Sequence, residues 1–135
     1  MAFYIEFNCH HLLYLSTQKT MIADLNWKQL TITELQMAEK ARRSGNEGRA
    51  RVCARRAAGH VVGEYLRRQG FSLENESALQ RIRYLESKIS KDDIQKELLG
   101  HFLVHTTTEH ELPIEADLLA DVHSLSEQLL GEPLD

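Results

Sequence analysis

From Thr31 onward the apolar residues of this chain recur at helical spacing. Leu35, Ala38 and Ala41 share one face, and Thr31 with Glu34 three positions later has the form of a capping box at a helix start. A start further upstream would add Trp27 and Leu30 to the same face. Ser44-Gly45-Asn46-Glu47-Gly48 reads as a turn, after which residues 49–69 can run as a second helix until Gly70 stops it. A turn this short joins antiparallel helices.

On the wheel of that second helix, Ala54, Ala58, Val61 and Tyr65 fall on one side, and Arg49, Arg56, His60 and Arg67 on the other. The small residues predict close approach of a neighbouring helix. Gly59 and Gly63, each costing roughly 1 kcal/mol against Ala inside a helix, mark a second tight contact on the flank, and a partner surface is one use for it.

Ser77 and Gln80 repeat the capping-box spacing ahead of Leu79, Ile82, Leu85 and Ile89. A helix restarting at Ser90 to Asp93 would carry the stripe Ile94, Leu98, Phe102 and His105 and end at the threonine run Thr106 to Thr108. Pro113, Glu115 and Asp117 suit the first turn of a last helix, with Ile114, Leu118, Val122, Leu125 and Leu129 inward up to Gly131. No stretch alternates with period two over a strand's length. The expected fold is all-α, an up-and-down bundle of four or five helices over residues 23–131, with residues 1–22 an N-terminal extension and 132–135 a tail. Its core would hold Ala54, Ala58, Val61, Tyr65, Leu98, Phe102, Leu118, Val122 and Leu125.

A length of 135 residues with 42% hydrophobic and 27% charged residues fits one folded domain and excludes a disordered chain. The net charge of −4 hides a polarity along the sequence. Residues 38–70 hold nine basic residues against Glu39, Glu47 and Glu64, a net of +6, whereas residues 109–135 hold eight acids and no Lys or Arg. In a small domain such blocks are expected to lie near each other, which permits a nucleic-acid partner without requiring one. Cys9 and Cys53 are too few and too far apart for a disulfide framework or a zinc motif. The first fifteen residues are apolar but interrupted by Glu6, Asn8, His10 and His11 and lack a basic leader, so neither a signal peptide nor a membrane span is expected, and the location is expected to be cytoplasmic.

Candidate chemistry is sparse. Gly45 and Gly48 lack the Lys-Ser/Thr of a phosphate loop, and no nucleophile elbow or cofactor motif is present, so no cofactor is expected. Cys53, at mid-helix, reads as a buried small hydrophobe. Glu97, His101, His105 and Glu109, each four apart, would line one side of a continuous helix as metal ligands; core-edge histidines are the competing reading. Arg49, Arg56 and Arg67, with His60 among them, could bind phosphates, although no aromatic residue interleaves to stack a base.

Ala38-Glu-Lys-Ala41, Gly45-Asn-Glu-Gly48, Ala50-x3-Ala54, Arg55-Arg-Ala-Ala58 and Tyr65-Leu before Gly70 resemble the HEPN superfamily over residues 27–71 and, more loosely, 113–130. The resemblance implies a helical bundle, often homodimeric, sometimes encoded beside a nucleotidyltransferase as a toxin–antitoxin pair. Catalytic members are metal-independent ribonucleases with an Arg-x(4–6)-His motif at the dimer cleft. Arg55 and His60 have that spacing, but they stand in the second helix rather than later in the chain, and on an ideal helix they point about 140° apart. The resulting expectation is a non-enzymatic, homodimeric interaction module, the alternative being an RNA-binding or RNA-cleaving protein.

Overall fold

The computed structural model describes residues 26–73, 75–104, 114 and 116–134. Among them are five helices and no strand: α1 covers 26–43, α2 Glu47–Arg68, α3 Ala78–Lys88, α4 Ile94–Leu103 and α5 Leu118–Leu130. None is long and apolar enough to cross a membrane. The all-α reading therefore holds, and the bundle has a definite centre.

That centre is α2. It packs against α3 and α5, and α4 closes the ring by touching both of those. Ala50, Cys53, Ala54, Ala57, Ala58, Val61, Val62 and Leu66 are all buried on α2, so three or more faces of one helix are covered. Only small side chains permit that. Opposite them stand Ile82 and Leu85 of α3, Leu99 and Phe102 of α4, and Leu118, Val122 and Leu125 of α5. Tyr65 and Leu98, expected in the core, are half-buried at its edge.

Local signals explain the helix ends. Gly45 takes a left-handed φ of 83°, and the Asn46 amide returns to the Ala41 carbonyl at 2.8 Å, closing α1. Asn46 then caps α2 by accepting from the Arg49 amide at 3.0 Å. Ser77 and Gln80 make the reciprocal capping box of α3 at 3.2 and 2.8 Å. Asp93 and Asp117 cap α4 and α5 through the amides of Gln95 and Leu119.

Several expectations are corrected. Thr31 caps nothing: it lies inside α1, buried, and its hydroxyl donates to the Trp27 carbonyl one turn back at 2.7 Å, while Leu30 is 41% exposed. In α4 the inward pair is Leu99 and Phe102, with Ile94 58% exposed, and the helix ends at Leu103, before the threonines. The last helix starts at Leu118, its cap being Asp117; Pro113 and Glu115 lie outside the described residues. In the segment after Gly131, the Ser126 hydroxyl donates to the Glu132 carbonyl at 2.7 Å and Leu134 is buried in the shared core. The expected extension 1–22 falls outside the described residues.

The flank at Gly59 and Gly63 is occupied within the chain. A Cβ on Gly59 would collide with Ala78 of α3, and one on Gly63 would meet the Arg81 guanidinium at 3.0 Å. Both glycines therefore serve the packing of α3 on α2. Gly59→Val is expected to lower stability by about 1–3 kcal/mol through overpacking against backbone, whereas Gly63→Ala needs only a side chain to move and stays within about 1 kcal/mol; urea unfolding of the two variants checks this.

Candidate functional site

The basic and acidic blocks of the sequence meet at the surface of the bundle, through Asp117 and Glu132. Arg42 bridges Glu47 at 2.8 Å and Asp117 at 3.1 Å, which raises its pKa, the hydrogen bond to Glu47 being the main cause. At the other end of α2, Glu64 is buried and gripped by Arg67 at 2.5 Å and Arg68 at 3.1 Å, and Arg68 reaches Glu132 at 3.3 Å. Burial still raises the Glu64 pKa, outweighing Arg68. The guanidinium of Arg67, a candidate phosphate ligand in the sequence, donates through Nε and Nη2 to this buried carboxylate.

Arg55 is committed as well. Its Nε donates to the Phe102 carbonyl at 3.1 Å and its Nη2 to the Val104 carbonyl at 3.3 Å, so it satisfies backbone acceptors at the C-terminal end of α4. Burial, then Arg51, lowers its pKa. His60 sits about 140° around α2 from it, on the side between α1 and α3. The structure therefore does not bring the Arg55 and His60 side chains together.

His60 is not on a solvated stripe, as its wheel position predicts, but half-buried. It lies at the junction of two hollows over α2. One, about 370 Å³, is walled by Leu30 of α1 and by Phe71 and Leu73; the other, about 310 Å³, by Glu34, Arg56 and Glu76. Arg81 lines both and is fixed by donating to the Leu73 carbonyl at 2.9 Å and the Gly59 carbonyl at 3.4 Å. A third hollow, at Met37, Lys40 and Arg49, continues the line toward the start of α2. From Arg49 to Arg67 this groove extends about 27 Å. Its exposed apolar residues are Leu30, Met37 and Phe71.

Burial lowers the His60 pKa, Arg81 lowers it further and Glu34 opposes both. Glu34 also lies against Cys53, whose thiol is pushed up chiefly by burial and then by that carboxylate. The Cys53 thiol is buried, as its mid-helix position predicts. One oxygen of Glu34 is buried with no hydrogen-bond partner among the described residues.

Of the other arginines, Arg49 and Arg56 are exposed on the groove face, as the wheel predicts. Of the four-spaced metal set, His101 is turned to α5, its Nδ1 2.9 Å from Asp121 Oδ2, and Glu97 is exposed; His105 and Glu109 lie outside the described residues. Among the described residues no cluster of three or more possible ligands could hold a metal ion. Sequence reasoning missed Arg81 and Glu34 as groove residues, since the fold of α1 and α3 over α2 is what places them there. Comparison with protein-family models, curated proteins and solved structures gives no match to this chain.

Two predictions follow from these contacts. Arg55→Ala is expected to cost about 2–3 kcal/mol, and Arg55→Lys to restore less than half of it because an ammonium cannot span both carbonyls; chemical denaturation reads the difference. With the His60 pKa depressed, its contribution to stability is present above the unfolded value of about 6.5 and is lost as pH falls through the lower folded value. Stability of His60→Gln is accordingly expected to fall less between pH 7 and 5 than that of the wild type.

Proposed function

We propose that the chain is a non-enzymatic, HEPN-like interaction module that pairs with a second copy of itself along the α1–α2–α3 groove. The observation that carries this reading is the groove's composition. Met, Phe and Arg are the residue types favoured in protein interfaces, and Met37, Phe71, Leu30, Arg49 and Arg56 stand exposed there. A two-fold contact must also be self-complementary, so that each patch carries both signs of charge. Glu34 and Glu76 beside Arg56 meet that requirement.

The commitment of Arg55 to α4 supports the non-enzymatic half of the reading. A general base works only within hydrogen-bond reach of its proton, with the charge-stabilising group at the same phosphate. Arg55 and His60 serve different sides of α2. A second reading, RNA binding, draws on Arg49 and Arg56, which pair with no carboxylate among the described residues and stand about 10 Å apart, two turns of helix. The toxin–antitoxin setting rests on the family resemblance alone.

Sedimentation at tens of micromolar tests the proposal. The wild type is expected to sediment as a dimer and the double variant Leu30→Glu, Phe71→Glu as a folded monomer; a monomeric wild type would contradict it. Labelled RNA is expected to stay intact with the wild type. Cleavage that is lost in His60→Ala would establish the ribonuclease reading instead.

A further inference from the structure

Next to the groove, and bordering it at Arg56 and Ala78, lies a cavity of about 440 Å³ between α2, the start of α3 and the end of α4. Its volume falls within the range of small-molecule sites, about 300–1,000 Å³. Val52, Leu79, Phe102, Leu103 and Val104 line it with apolar surface, and Val52 is 46% exposed although it stands in mid-helix. Three guanidiniums, Arg55, Arg56 and Arg83, together with Ser77 and Ala78, complete the lining. Among the described residues that line it there is no carboxylate, and among the described residues neither Arg56 nor Arg83 makes an ion pair, although Arg56 also borders the neighbouring hollow that holds Glu34 and Glu76. The groove over α2 differs in this respect, because there Glu34, Glu64 and Glu76 offset the cations.

We infer that this cavity is a binding site for a small amphiphilic anion, a carboxylate with an apolar chain. Bare aliphatic surface favours a chain that leaves water at about 0.8 kcal/mol per buried methylene. The cations at its rim favour an acidic head, and guanidinium is the group that grips a carboxylate with two parallel hydrogen bonds. Arg55 gives the rim a fixed point, since the Phe102 and Val104 carbonyls already hold its side chain. Arg56 and Arg83, both exposed, are free to turn toward the head group. This site goes beyond the proposed pairing of two copies; Arg56 borders both surfaces, and Arg83, which lines the cavity and none of the groove's hollows, tells them apart.

Titration calorimetry with dodecanoate, below its micelle concentration and at physiological salt, tests the inference. The wild type is expected to bind one molecule per chain. Arg56→Glu with Arg83→Glu, both at exposed positions, is expected to weaken binding by about tenfold or more, and Arg43→Glu, which does not line the cavity, to leave it unchanged. Circular dichroism confirms that the variants stay helical. Dodecyltrimethylammonium, with the same chain and the opposite charge, is expected not to bind. Three outcomes would overturn the site: no binding of dodecanoate at millimolar concentration, equal affinity in the charge-reversed variant, or equal binding of the cationic amphiphile. Inorganic phosphate binding as tightly as dodecanoate would likewise overturn it, because the apolar floor would then take no part.

Discussion

Everything in this bundle depends on how closely other helices can approach α2. Ala50, Ala54, Ala57, Ala58 and Gly59 present almost no side-chain bulk, so α3 comes up against the α2 backbone at Gly59 and α5 packs on the same helix. Interhelical distances follow the side chains at the contact, and an alanine-rich face sits at the short end of that range. The remaining volume is filled from the partners, by Ile82, Leu99, Phe102, Leu118 and Leu125. A helix covered on several faces in this way has little room for substitution, since interiors pack densely and added methylenes force backbone shifts.

Burying the middle of α2 forces its long charged side chains outward, and their destinations organise the rest of the molecule. Arg68 at the end of α2 and Arg42 at the end of α1 reach opposite ends of the α5 region, so the charge polarity of the sequence becomes a clamp across the surface within the chain. Arg55 ties α2 to the last carbonyls of α4. What the clamp leaves over is informative. Arg49 and Arg56 of α2 and Arg83 of α3 remain exposed without carboxylate partners among the described residues. Both proposed binding surfaces border these leftover cations.

Much of the fold could be read from the chain because its signals are local. The Ser77 and Gln80 capping box, the Gly45 turn, the Gly70 and Gly131 stops and the alanine face of α2 each act within one or two turns of helix. The misread positions have physical reasons. Thr31 is buried because its hydroxyl bonds one turn back, which lets a polar residue take the inward place that Leu30 would otherwise fill. In α4 a stripe drawn through Ile94 and Leu98 is about 100° away from the observed one through Leu99, a difference of one residue. The candidate sites were less legible, since their roles arise across long separations. Nothing near Arg55 announces that carbonyls 47 and 49 residues later will hold it. His60 is half-buried because Arg81 and the segment before α3 close over it, and its wheel position cannot show that.

If α2 is the element on which the bundle is assembled, its interior amides should be the last to open. Native-state hydrogen exchange measures this residue by residue. The amides of Ala54, Ala57, Ala58, Val61 and Val62 are predicted to exchange only through global unfolding, with the free energy that urea denaturation gives, and those of α4 through smaller openings. Exchange of the α2 interior through openings as small as those of α4 would contradict the account.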